Sequence, residues 1–140
     1  QDPAFHENIH SSRARIYFSL GQYGQAVDIF RQILEDKNIE HILQGSTLAA
    51  RQPSVTNLRW LAQSLAEVGR FADGILAGEQ AMQLAEATQQ PYYVSNSSNG
   101  LGYLYLCQGD VPRMIALYRR GSLSVSSGRS ISNGMVMPLA

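Results

Sequence analysis

Apolar positions along this chain recur with the period of an α-helix. From about Thr56, the residues Leu58, Leu61, Ala62, Leu65 and Val68 fall on one face at 3.6-residue spacing. Val, Ile and Thr are scattered and do not alternate, so no strand pattern emerges. The pattern predicts an all-α protein with helices near 4–20, 24–43, 54–68, 72–88, 92–108 and 111–127. A seventh helix is expected from about Ser130, where Ile131, Met135 and Val136 open another apolar face. Residues 44–53 read as a loop. Asp110 is a good N-cap ahead of Pro112 in a first helical turn, and Pro53-Ser54 and Pro91-Tyr92 likewise read as helix openings.

Three segments repeat one another: a helix, a glycine, one intervening residue, an aromatic or apolar residue, and a second helix. The first runs through Tyr17, Leu20, Gly21 and Tyr23 to Ala26, Phe30 and Ile33. The second runs through Leu65, Val68, Gly69 and Phe71 to Ile75 and Ala81, and the third through Leu101, Tyr105, Gly109 and Val111 to Met114 and Tyr118. The glycines lie 48 and then 40 residues apart, with the 44–53 loop accounting for the longer interval. A glycine closes a helix in the left-handed conformation at little cost. With the next helix beginning so soon, the two must run back to back as an αα-hairpin. Antiparallel helix pairs, about three of them plus the start of a further helix, follow from this register.

These residues resemble the tetratricopeptide repeat. The first repeat matches through Ala14, Tyr17, Gly21, Tyr23, Ala26 and Phe30, and the third through Leu101, Gly102, Tyr105, Gly109 and Tyr118. The second departs from the pattern, with Gly74 and Gly78 where Ala and an aromatic are expected, so its second helix must pack more closely or leave a gap. The segments Arg59–Phe71 and Gly100–Asp110, with the near-40 spacing, are similar to the C-terminal repeat region of large bacterial signalling ATPases. Some of those are joined to an adenylate/guanylate cyclase domain. The resemblance covers nearly the whole chain. It implies a right-handed superhelix and a cytoplasmic segment that senses or transmits, with nucleotide chemistry in other domains.

Composition narrows the chemistry. Apolar residues make up 44% and charged residues 16% of 140, a folded composition sized for a single domain over 1–140. Eleven basic and eleven acidic side chains cancel, so no strong field points to nucleic acid or an acidic membrane. No apolar run approaches the roughly 20 residues of a membrane span. A single cysteine, Cys107, fits a reducing compartment and is expected to be a small packing residue near a helix end. The chain opens on Gln-Asp-Pro and ends on Leu139-Ala140, which reads as a piece of something longer.

One motif looks catalytic. His6-Glu7-Asn8-Ile9-His10 is a literal H-E-x-x-H, whose imidazoles share a helix face and can hold zinc with the glutamate as base. A third ligand and a cleft are also required. Only five residues precede His6, Arg13 occupies the glycine position of the extended motif, and His41 becomes a ligand only by an accident of folding. Two solvent-facing histidines are the simpler expectation. Gly100-Leu101-Gly102 lacks the Lys-Ser/Thr of a phosphate loop. No active site, metal or cofactor is expected.

The remaining candidate is the groove made by the first helix of each pair, where repeat-equivalent residues form rows. Counting back from the glycines places Ser11, Arg59 and Asn99 in one row and Arg15, Gln63 and Tyr103 in another, with Asn8, Glu67 and Asn96 as neighbours. Such groups can hold an extended peptide by hydrogen bonds, an Arg pairing a carboxylate bidentately. A solvated helix face is the alternative, and the Lys/Asn clamp of chaperone-binding members is not reproduced. The expected role is a scaffold for a protein or peptide partner or for other domains of the same polypeptide. A small-ligand sensor is the alternative. The apolar residues between Ser122 and Ala140 are expected to pair with a second copy, making a homodimer, or to dock back on the stack.

Overall fold

Three glycines divide the chain into hairpins. In the computed structural model, which describes residues 2–35, 37–38, 42 and 48–136, Gly21, Gly69 and Gly109 adopt φ of 77°, 81° and 77°. Each closes its helix with the same pair of hydrogen bonds. The Gly21, Gly69 and Gly109 N–H groups donate to Phe18, Ala66 and Leu106 O at 3.0, 3.0 and 2.9 Å. The following N–H groups, of Gln22, Arg70 and Asp110, donate to Tyr17, Leu65 and Tyr105 O at 2.9, 2.8 and 2.8 Å. This is the Schellman arrangement, which satisfies the last carbonyls and reverses the chain.

Six α-helices are present among the described residues, and no strand: α1 Pro3–Ser19, α2 Tyr23–Glu35, α3 Leu48–Glu67, α4 Phe71–Thr88, α5 Pro91–Cys107 and α6 Val111–Val136. The chain is therefore all-α. Asp110 caps α6 as the sequence suggests, its Oδ1 accepting from Arg113 N at 3.2 Å, and Asp2 caps α1 in the same way, its Oδ1 accepting from Ala4 N at 3.0 Å. Pro3 and Pro91 occupy first-turn positions, where a missing N–H costs nothing.

Three boundaries differ from expectation. Helix α2 ends at Glu35, with a bend at Lys37. Of the expected continuation, residues 36, 39–41 and 43 lie outside the described residues, as do 44–47 of the expected loop. Helix α3 begins at Leu48, so 48–53 is helix with Pro53 inside it. Leu48, Ala49, Ala50, Arg51 and Gln52 are all good helix formers, and Arg51 Nη1 donates to Ala87 O at 3.0 Å, tying this turn to the end of α4. Helix α6 runs unbroken to Val136, so the segment from Ser130 extends it and does not start a seventh helix. Residues 137–140, the end of the expected C-terminal apolar face, lie outside the described residues.

Helices α1–α2, α3–α4 and α5–α6 pack as pairs, α3 also lies on α2, and α5 lies on both α4 and α3. The core runs through these contacts. Phe30, Leu58, Leu65, Leu84 and Leu104 are all fully enclosed, each worth about 2 kcal/mol relative to exposure. Phe18 bridges the first two hairpins, its ring edge-on to Tyr23 and Trp60 at 5.1 and 5.2 Å. The two glycines of α4 resolve the packing question in favour of closer approach. A β-carbon added at Gly74 would lie 2.8 Å from Leu104 Cδ2 and 3.0 Å from Ala62 O, and one at Gly78 would lie 2.8 Å from Leu101 Cδ1.

Candidate interaction groove

Helices α1 and α3 enclose a groove of about 290 Å³ that is open to solvent and closed at one edge by Tyr93 of α5. Glu7, Asn8, Ser11 and Arg15 line it from α1, with Thr56 and Asn57 opposite on α3. Its floor is a polar chain. Ser11 Oγ donates to Asn57 Oδ1 at 2.7 Å, Asn57 Nδ2 donates to Glu7 Oε1 at 3.3 Å, and Lys37 Nζ pairs with the same carboxylate oxygen at 2.6 Å. Asn57 is 2% exposed, so these bonds replace the water it loses on burial.

The predicted residues divide by role. Ser11 is buried and committed to Asn57, which makes it part of the groove's frame. Arg15 is exposed at the rim, where its Nη2 donates to Ser12 Oγ at 3.2 Å. Arg59 lies half-buried with its guanidinium 4.8 Å from the Trp60 ring centroid, and its Cγ is the atom a β-carbon at Gly100 would meet. Burial pulls its pKa below the usual guanidinium value. Tyr92 opposes that shift, and the like charge of Arg15 adds to it. Arg59 is not among the residues that line the groove, although its charge and that of Arg15 lie near enough to repel, and counting from the glycines puts the two in different rows.

Tyr103 binds along α5's own seam with α3, its hydroxyl donating to Glu67 Oε1 at 2.9 Å. Its pKa is pushed above the ordinary phenol value by the Cys107 side chain first and Glu67 second. Gln63 and Asn96 are half-buried and Asn99 is exposed. Sequence reasoning missed Asn57, Tyr92 and Tyr93. Nothing in the sequence marks Asn57, because Ser54, Thr56 and Arg59 around it are polar as well.

The H-E-x-x-H residues separate. Glu7 faces the α1–α3 groove, whereas His10 lines a different cleft with Ile29, Gln32 and Ile33 of α2. Both His6 and His10 are exposed, and His41 lies outside the described residues. Among the described residues no three His, Cys, Asp or Glu side chains gather as a metal site. Cys107 is exposed, contrary to the expectation of a packed residue, because it is the last residue of α5, where the helix leaves the core. No described helix is long and apolar enough to cross a membrane. No family model matches the chain, and no curated protein or solved structure matches it either.

Proposed function

We propose that this chain is a tetratricopeptide-type repeat, wound as a right-handed superhelix, that serves as a non-catalytic interaction or regulatory module of a larger bacterial signalling protein in the cytoplasm. Support for the repeat comes from three hairpins closed by one motif, with α3 on α2 and α5 on α4. The observation that carries the function is the groove's charge. Glu7 is already paired with Lys37, and among the described residues neither Arg15 nor Arg59 has an ion pair. Arg15, which lines the groove with Asn8, Asn57 and Tyr93, suits an extended peptide that brings a carboxylate, with the charge of Arg59 near enough to be felt, because Arg binds a carboxylate through two parallel hydrogen bonds. The groove's openness favours a peptide over the alternative of an enclosed small ligand.

A displayed library of random peptides, selected on the wild-type chain, tests this reading. Enriched peptides should share an acidic residue or depend on a free C-terminal carboxylate. Arg15→Ala or Arg59→Met should weaken them by about tenfold, roughly 1.4 kcal/mol. The methionine keeps the stem that lies against Gly100. Binding that is indifferent to both substitutions, or the absence of any enrichment, overturns the proposal.

A further inference from the structure

The two end helices each leave open a face that its repeat-equivalents bury. Counting from the turn glycines, Ile9, Arg13 and Ile16 of α1 correspond to Asn57, Leu61 and Ser64 of α3 and to Ser97, Leu101 and Leu104 of α5. The α3 and α5 residues are 0–7% exposed, because α3 lies on α2 and α5 on α4, with Asn57 covered from α1 by Ser11 and Glu7. On α1, Ile9 and Ile16 are 49% and 60% exposed, and Arg13 is exposed too. Nothing about the local sequence explains this. Isoleucine at both positions is more apolar than the Asn and Ser that are buried in α3.

The opposite end shows the complementary surface. Ile115, Tyr118 and Ser122 of α6 correspond to Ile75, Gly78 and Met82 of α4 and to Val27, Phe30 and Leu34 of α2. Phe30 is fully buried and Val27, Leu34 and Met82 are 5–8% exposed. Ile115 is 40% exposed, and it borders a cleft of about 440 Å³ with Tyr118, Ser122 and Leu123, the last 68% exposed. One end thus has the face of a helix that sits on a hairpin, and the other has the face that receives such a helix.

We propose that copies of this chain stack end to end, α6 of one seating α1 of the next as α4 seats α5. The internal interface supplies the register. Gly74 meets Leu104, Gly78 meets Leu101, and Met82 Sδ accepts from Ser98 Oγ at 3.4 Å. The same register between copies, with the helices set further apart than Gly74 and Gly78 allow α4 and α5 to come, sets Met114 against Ile16, Tyr118 against Arg13 and Ser122 against His10. These are an apolar pair, a guanidinium over a phenol ring and a hydrogen-bonding pair. Arg13, which replaces the leucine found in both other hairpins, then has a partner suited to it. A symmetric pairing of two α6 helices is the poorer alternative. It leaves Ile9 and Ile16 of α1 uncovered, whereas a contact between α6 and α1 covers the open face at both ends. A head-to-tail contact is heterologous and does not close on itself, so it grows with concentration.

Sedimentation velocity across roughly 5–500 μM, the range in which a modest apolar contact becomes visible, tests the inference. The weight-average mass of the wild-type chain should rise past twice the monomer. Ile16→Lys blocks one end and Ile115→Lys the other, both at exposed sites where circular dichroism should show unchanged helix. Each variant alone should be monomeric, and their equimolar mixture should form a one-to-one dimer and stop there, since only one intact seam remains. A wild-type chain that stays monomeric throughout overturns the proposal and leaves both faces to helices of another chain or segment. Association untouched by Ile16→Lys also overturns it, in favour of paired α6 helices, as does a mixture that remains monomeric.

Discussion

Gln89 is the single non-glycine residue with positive φ among the described residues, at 54°, closing α4 where the hairpin glycines close α1, α3 and α5. A β-carbon in this conformation meets its own backbone, which costs about 1–2 kcal/mol. The turn itself is secured without the Gln89 side chain. Thr88 Oγ1 donates to Ala85 O at 2.6 Å and accepts from Gln90 N at 3.2 Å, and Gln89 N–H reaches Glu86 O at 3.1 Å. Gln89→Gly should therefore stabilise the fold by about 0.5–1 kcal/mol, after allowing for the freedom glycine adds to the unfolded chain. Urea denaturation should show a higher midpoint at unchanged slope, and a lower midpoint would mean that the side chain holds the turn after all. This residue also marks a limit of sequence reading. The three glycine turns are legible because glycine advertises positive φ. The α4–α5 junction is visible only as a break before Pro91, since glutamine carries no mark of the conformation it adopts.

At the scale of the helix, two glycines that look alike in sequence act in opposite ways. Gly74 sits where α3, α4 and α5 converge, and a β-carbon there would strike Leu104 Cδ2 and the fixed carbonyl of Ala62. Gly24 sits near the start of α2, where an added β-carbon would meet nothing within 4 Å. Gly74→Ala should cost about 1–3 kcal/mol through overpacking, whereas Gly24→Ala should stabilise by roughly 0.5–1 kcal/mol through helix propensity. Thermal melts of the two variants should move in opposite directions, and a shared direction would refute the close-approach account of α4. The helical period on α3 is legible in the sequence: Leu58, Leu61, Ala62 and Leu65 are buried, and Val68, at 40% exposed, is the exception because it lies beyond the helix's last residue. The ends are less so. Pro53 points to a helix start because proline favours a first turn, yet the five residues before it have the propensity to add another turn and a contact, Arg51 to Ala87, that rewards it. Long-range contacts of this sort leave no local trace. The groove suffers from the same blindness, since counting from the glycines puts Arg15 and Arg59 in separate rows and cannot foresee that their charges interact between α1 and α3.

Across the whole molecule, each hairpin touches little beyond its neighbours, so stability is expected to be distributed unevenly along the stack. Helices α3, α4 and α5 each contact elements on two sides and hold Leu58, Leu65, Leu84 and Leu104 fully enclosed. Helix α1 buries only Ser11 and Ala14, and its link to α3 runs through the Ser11–Asn57–Glu7 chain of hydrogen bonds and the edge of Phe18 on Trp60. Between Val111 and Ser127, α6 buries only Gly121. A hydrogen-bonded seam contributes about 1 kcal/mol per bond net, well below the burial of several leucines. Native-state hydrogen exchange at low concentration, where copies stand apart, should accordingly give the slowest amides in α3 through α5 and faster ones in α1 and α6. Raising the concentration should then slow exchange selectively in α1 and α6, because end-to-end stacking covers those two faces and leaves the central helices as they were. Uniform protection along the chain would show a fold far more cooperative than its contacts imply, and protection gained in α6 without α1 would contradict the head-to-tail seam.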